Sequence, residues 1–161
     1  MGTVSHDSET PAQGKQVITV CAFIHANFDG VEKVFLVKRA QTKKFLPGVF
    51  ELPGGHVDYG EDIIAGLQRE VQEEMGMRIN VGDPFVVFTY TNKVKGSHSI
   101  QVTYFARFED PVENIRLNQE DHSEYCWVAE SELADYLPTS DREHANVLKG
   151  FALLRGEPVL F

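Results

Sequence analysis

The amino-acid sequence predicts an α/β fold, a layered sandwich of helices around a mixed β-sheet. Three features predict it: apolar segments that come in pairs, a helix-forming segment after a loop rich in Gly and Pro, and a second helical stretch near the end of the sequence. With 161 residues, 42% of them hydrophobic and 24% charged, the chain has the size and composition of one ordered domain.

The predicted strands are runs of β-branched and other apolar residues bounded by turn signals. Asp29-Gly30 separates the first two runs, and a polar turn over residues 93–97 separates the next two, so each pair is expected to form a hairpin. A short fifth run follows a polar loop. The five runs cover residues 17–26, 31–40, 79–92, 98–109 and 125–129.

The first predicted helix follows a segment that cannot be helical. Residues 41–61 are rich in Pro and Gly, whereas residues 61–76 contain no Pro and many helix formers. Gly76 is expected to end this helix. Two further helical segments are expected at residues 131–137 and 142–156.

The composition also indicates where the protein is located and which partners it binds. Residues 1–15 are polar and aperiodic, which predicts a flexible tail before a single domain over residues 16–161. The net charge of −9 gives no electrostatic basis for binding duplex nucleic acid. Cys21 and Cys126 lie in apolar surroundings without metal-ligand spacing, which is typical of reduced thiols. Since no signal peptide or apolar run of about 18 residues is present, a cytoplasmic protein without a membrane partner is expected.

Three glutamates of the first predicted helix share one face. At about 100° per residue, Glu70, Glu73 and Glu74 fall at about 0°, −60° and +40°. Because like charges at these spacings repel, a hard cation such as Mg²⁺ or Mn²⁺ is expected to compensate them. Taken alone, the pattern is more often a solvated helix face. The apolar stripe expected to dock this helix on the sheet contains Ile64, Leu67, Val71 and Met75.

The residues around this helix resemble the Nudix hydrolase family. The family's box, G-x5-E-x7-R-E-U-x-E-E-x-G-U with U a bulky aliphatic residue, is matched at every specified position from Gly55 to Met77. A chance match in a chain of this length is on the order of 10⁻⁷. The resemblance covers residues 17–155, and it implies a Nudix-type α/β/α sandwich that hydrolyses a nucleoside diphosphate linked to another moiety.

The resemblance implies a metal site in the box. Glu70, Glu73 and Glu74 would bind Mg²⁺, or Mn²⁺ in its place, together with the backbone carbonyl of Gly55. Glu70 or Glu73 would position or deprotonate the attacking water. The family commonly adds an acidic residue from a late loop, and Glu120 is the expected one. The other candidates on that loop are Asp121, Glu124 and, less favoured, His122.

Two further residues of the box are expected to form an ion pair. Glu61 and Arg69 are eight residues apart, about two helical turns, so they point the same way on a regular helix. The functional interpretation is that Arg69 orients a catalytic carboxylate. The alternative is an ordinary surface pair of little energetic weight.

Substrate contacts are expected from three residues outside the box. Lys38 and Arg39 end the second predicted strand, where a basic residue of the family often faces the substrate's phosphates. A solvated strand end is the equal alternative. Tyr90, or else Phe88, is the aromatic residue expected to stack on a nucleobase.

By elimination, the predicted substrate is a nucleoside triphosphate, including damaged ones, cleaved to a monophosphate and pyrophosphate. The sequence lacks the later proline, the spaced tyrosine and the zinc-bearing extension that mark hydrolases of ADP-ribose, diadenosine polyphosphates and NADH. Hydrolysis of ADP-ribose or a nucleotide sugar is an alternative. A nucleotide-sensing domain without activity is another, against which the complete box argues. An RNA-decapping enzyme would need a basic RNA path. The family resemblance also suggests a homodimer.

Overall fold

The computed structural model describes residues 11–157, and in them a mixed seven-stranded sheet lies between two α-helices. The strands are β1 (Gln16–Phe28), β2 (Val31–Arg39), β3 (Phe50–Glu51), β4 (Gly54–His56), β5 (Ile79–Asn92), β6 (Ser97–Phe108) and β7 (His122–Ala129). The helices are α1 (Ile63–Met75) and α2 (Arg142–Leu154), and 3₁₀ turns cover Val112–Asn114 and Glu130–Asp135. The predicted α/β fold is confirmed.

Strand β1 joins the two parts of the sheet. Along one edge it runs parallel to β6, with Val20 opposite Val102. Along the other edge it first pairs with β4, with Val20 opposite Gly55, and then with β2. Strand β2 also pairs with β3 and β7, while β5 pairs with β6. The exchange of β4 for β2 holds the loop that carries β3 and β4 at the middle of the sheet.

Both predicted hairpins form. The turn between β1 and β2 consists of Asp29 and Gly30, whose φ angles of 51° and 90° are those of a two-residue turn with positive φ at both positions. The turn between β5 and β6 is ordered by Asn92, whose side-chain Oδ1 accepts hydrogen bonds from the backbone N–H groups of Val94 and Lys95.

Each face of the sheet carries its own apolar layer. Phe35 and Val37 of β2 belong to the layer under α1, whereas Val34 and Leu36 belong to the layer under α2. This alternation follows from the two-residue period of a strand. Because both layers are covered by a helix, the sandwich predicted from the sequence has its helices on opposite faces.

The first turn of α1 differs from the prediction. The helix begins at Ile63, because Asp62 caps it by accepting hydrogen bonds from the backbone N–H groups of Ile64 and Ala65. Ile64 was predicted to belong to the docking stripe, and this is wrong: it is 38% exposed. Ile63 packs against the core instead. The other three residues of the stripe are fully buried as predicted: Leu67, Val71 and Met75.

Two other elements differ in their limits or type. Strand β7 begins at His122, three residues before the predicted start, because His122 pairs with Arg39 beyond a bulge that leaves Ser123 of β7 without an opposite residue. The segment predicted as a helix at residues 131–137 is a 3₁₀ turn.

The residues before β1 contact the hairpin formed by β5 and β6. Ala12 is buried, and its backbone N–H donates to the carbonyl of Lys95, while that of Gly14 donates to Gly96. Of the tail predicted over residues 1–15, residues 1–10 lie outside the described part. Neither described helix is long and apolar enough to cross a membrane.

Candidate active site

The glycines that begin the box are required by close contacts. A Cβ atom on Gly54 would lie 2.0 Å from the carbonyl oxygen of Val20 on the neighbouring strand β1. A Cβ atom on Gly55 would lie 2.3 Å from the carboxylate carbon of Glu70 on α1. Since real Cβ atoms do not approach other atoms so closely, only glycine lets β4 fit between β1 and the helix. The backbone of Gly55 therefore lies directly against the Glu70 carboxylate.

Arg69 connects the loop to the helix. Its Nε and Nη2 atoms donate to the two carboxylate oxygens of Glu61 at 2.7 and 2.9 Å. Nη2 also donates to the carbonyl of His56 at 3.0 Å, and Nη1 donates to Glu70 at 2.9 Å and to Glu73 at 3.3 Å. The ion pair expected between Glu61 and Arg69 is present, and the hydrogen bond from Arg69 lowers the pKa of Glu61.

The three glutamates predicted to share a face differ in environment. Glu70 and Glu74 are buried, whereas the side chain of Glu73 is 55% exposed. Burial raises the pKa of Glu70 to about 7, against the opposing effect of Arg69. Burial also raises the pKa of Glu74 well above its usual range, and the charges of Glu70 and Glu51 add to this effect. The helix therefore places two carboxyl groups in a buried environment. A negative charge on either of them needs a positive charge nearby.

Glu74 faces a histidine. His122 is 3% exposed, and its Nε2 lies 2.9 Å from the Glu51 carboxylate, so Nε2 is the donor of that hydrogen bond. Its Nδ1 lies 3.7 Å from Glu74 Oε2. Both of these atoms are buried without a hydrogen-bond partner among the described residues. Arg39 donates to the same Glu51 oxygen at 3.3 Å, so Glu51 connects the histidine to the arginine.

These groups line a cavity of about 130 Å³ at the centre of the sheet. Its lining contains oxygen atoms of Gly55, Glu70 and Glu74 and the positively charged side chains of Arg39 and Lys43. Such a mixed lining suits a phosphate group that a cation links to carboxylates.

A second cavity of about 620 Å³ opens beside the first and shares part of its lining. Its walls are mostly apolar, with Phe45, Phe88 and Tyr90 among the aromatic residues. The rings of Phe45 and Tyr90 are nearly parallel, at 14°, with their centroids 6.4 Å apart. Gln101 and Glu143 supply polar groups to this cavity.

The structure separates the predicted substrate residues. Arg39 and Tyr90 line the small cavity. Lys38 alternates to the other face of β2, where its Nζ lies 3.4 Å from Glu124. Glu120 is exposed and is not among the described residues that line the cavity, whereas its neighbour Asp121 lines it.

Several residues that line the two cavities could not be found from the sequence. They have no local motif, since each lies on a different strand, loop or helix from the box. They are Cys21, Lys43, Phe45, Glu51, Gln101 and Glu143. Asp121 and His122 also line the small cavity, and both are among the late-loop candidates of the sequence analysis.

The donor set fits a hard divalent cation. Carboxylate and carbonyl oxygens are what Mg²⁺ and Mn²⁺ prefer, and the buried Glu74 Oε2 has no hydrogen-bond partner among residues 11–157. Within the same residues, no three side chains of His, Cys, Asp or Glu already converge as a complete set of ligands. Arg69 donates hydrogen bonds to the carboxylates of Glu70 and Glu73.

Comparisons with known proteins identify the family of this chain. The family model for the NUDIX domain matches residues 15–151. The uncharacterised Nudix hydrolase YfcD of Escherichia coli is 30% identical over an alignment of 145 residues that covers 81% of this chain and 73% of that protein. The nucleoside triphosphatase NudI of Salmonella schwarzengrund is 31% identical over an alignment of 123 residues that covers 71% of this chain and 86% of that protein.

A solved structure shares the fold at low sequence identity. A binary complex of the Ap4A hydrolase of C. elegans has a TM-score of 0.72 at 21% identity, over 87% of this chain and 98% of that one. The chain belongs to the Nudix family, and it is a hydrolase of phosphoric anhydride bonds. Proteins of this family act on small nucleotide substrates and generally use divalent metals.

Proposed function

We propose that this Nudix hydrolase cleaves a nucleoside triphosphate to a nucleoside monophosphate and pyrophosphate, with Mg²⁺ as its cofactor. The main support for the proposal is that the two cavities adjoin each other. One is small and charged, the other larger and mostly apolar with aromatic walls, and they share lining residues. A nucleotide has the same two parts, a charged polyphosphate and a planar base. The 31% identity with a nucleoside triphosphatase supports this substrate class.

The cation is assigned to the box. Glu70, Glu73 and Glu74 and the carbonyl of Gly55 would hold it, and Asp121, which lines the same cavity, replaces the exposed Glu120 as the candidate from the late loop. When bound, the ion neutralises charge on the phosphate oxygens and acidifies the attacking water. Glu73 would have to leave its 3.3 Å contact with Arg69 before its carboxylate could bind the cation.

The side chains of this chain orient the reaction. A water oxygen attacks the α-phosphorus, opposite the oxygen that bridges it to the β-phosphorus. The bridging P–O bond breaks, pyrophosphate leaves with its electron pair, and Glu70 or Glu73 takes the proton from the water. Arg69 positions Glu70 through their 2.9 Å hydrogen bond. Arg39, which lines the cavity, offers positive charge to the substrate's phosphates.

The test is a substrate panel with matched variants. Monophosphate and pyrophosphate are quantified with Mg²⁺ for ordinary and oxidised nucleoside triphosphates, ADP-ribose, nucleotide sugars and dinucleoside polyphosphates. Glu73→Gln and Glu74→Gln are expected to abolish turnover of the triphosphates, whereas Glu113→Gln, at an exposed 3₁₀ turn, keeps it.

Three outcomes contradict the proposal in different ways. Preferred turnover of another class on the panel reassigns the substrate. Full activity of the Glu74 variant removes the metal assignment. Nucleotide binding without any turnover favours the sensing function. Light scattering on the same preparation tests the homodimer that the family suggests.

A further inference from the structure

The larger cavity is lined by a pair of nearly parallel aromatic rings. The rings of Phe45 and Tyr90 lie at 14° to each other and their centroids are 6.4 Å apart. Both rings line the small cavity as well as the large one. A base between them would therefore lie beside the phosphate-binding residues, and stacking is tolerant of base identity.

Base identity has to be recognised by polar groups that line the cavity beside the two rings. Glu143 and Gln101 line the same cavity, and Gln101 Nε2 lies 3.4 Å from Glu143 Oε2. The other oxygen, Oε1, is buried and makes no hydrogen bond of standard geometry within the described residues. The Asn146 side chain is the other polar neighbour of this carboxylate. A buried polar atom without a partner costs free energy, so a ligand that supplies a donor gains affinity there.

Glu143 is held in place by the helix start. It is the second residue of α2, and its backbone N–H donates to the Oδ1 of Asp141, the N-cap residue, at 3.0 Å. This oxygen of Asp141 therefore caps the helix, whereas Glu143 Oε1 remains an acceptor in the cavity. An ionised carboxylate only accepts hydrogen bonds, so it favours base edges that donate.

We propose that Phe45 and Tyr90 hold the substrate's base between their rings and that Glu143 selects a base whose edge presents two adjacent N–H groups, as guanine does. Guanine offers the N1–H and the exocyclic amino group side by side, and hypoxanthine lacks the amino group. Adenine and cytosine place a ring nitrogen acceptor beside their amino group, and the N–H of uracil lies between two carbonyls. The proposal deepens the proposed function, on which it rests for the substrate class.

Binding of product nucleotides tests the selection apart from catalysis. Titration calorimetry at about pH 8.5, where Glu143 is ionised, compares GMP, IMP, AMP, CMP and UMP. GMP is expected to bind tightest and IMP about 10-fold weaker or more, and Glu143→Gln is expected to weaken GMP about 10- to 100-fold while leaving AMP nearly unchanged.

Two further variants distinguish base recognition by Glu143 from aromatic stacking and from a change of charge at the helix start. Tyr90→Ala is expected to weaken all five nucleotides alike, because stacking does not discriminate. Asp141→Asn removes a charge from the same helix start but keeps the cap, so the ranking of bases is expected to persist. Equal binding of GMP and IMP, or an unchanged ranking in Glu143→Gln, overturns the proposal.

Hydrolysis distinguishes the two proposals. Selective GMP binding without hydrolysis of any triphosphate leaves the base selection standing and removes the proposed function. Hydrolysis of triphosphates with no preference for guanine does the opposite.

Discussion

Replacing Gly55 by alanine would place a methyl group against the Glu70 carboxylate. The added Cβ would lie 2.3 Å from Glu70 Cδ and 2.4 Å from Oε2, whereas ordinary contacts begin at 3.4 Å. The carboxylate therefore has to move by about 1 Å, and a misplacement of that size in an active site costs about 100-fold in rate. Because the shift also breaks the 2.9 Å bond from Arg69, the free energy of unfolding is expected to fall by about 1–3 kcal/mol.

The assay compares kcat/KM for the preferred substrate and urea unfolding in Gly55→Ala and Gly82→Ala. Gly82 is the matched control, since a Cβ there meets its nearest atom, the carbonyl oxygen of Phe105, at 3.4 Å. A loss of about 100-fold in Gly55→Ala, with unfolding that is still cooperative, supports the reasoning. Equal activity in the two variants would refute it.

Arg69→Lys is expected to lower the free energy of unfolding by about 1–3 kcal/mol and to lower kcat at least 10-fold. The reason is that lysine cannot reproduce the paired bonds to Glu61 at 2.7 and 2.9 Å. Wild-type values in denaturation and kinetics would contradict this. Burial raises the pKa of Glu143 to about 7 from an ordinary 4.5, so its charge destabilises the folded protein as the pH rises through that window. Glu143→Gln is therefore expected to raise the free energy of unfolding by about 2–3 kcal/mol near pH 8.5 and to change it little near pH 5. Equal effects at the two pH values would show that the carboxyl is not buried as described. Mg²⁺ or Mn²⁺ added after chelator treatment is expected to raise the melting temperature of the wild type but not of Glu74→Gln; an equal rise in both would exclude Glu74 as a ligand.

The sequence determined the local parts of this protein. The turn at Asp29 and Gly30 follows from residues adjacent in the chain, since both positions need positive φ. The ion pair of Glu61 with Arg69 is present, but it joins the loop to the helix, because Glu61 precedes α1. Gly76 ends α1 in the left-handed conformation, as predicted from the local sequence. The box could be recognised for the same reason: its residues lie within one loop and one helix, so their spacing in sequence fixes their spacing in space.

Tertiary structure alone decided the environment of those residues. Helical spacing gave Glu73 and Glu74 the same face, yet packing buries Glu74 and leaves the side chain of Glu73 55% exposed. Burial depends on what covers a helix, and β4 and the late loop come from elsewhere in the chain. Likewise, Gln101 and Glu143 reach the cavities from β6 and α2. No sequence pattern relates them to the box, because long-range contacts are fixed by how the sheet and its two helical layers close around the site.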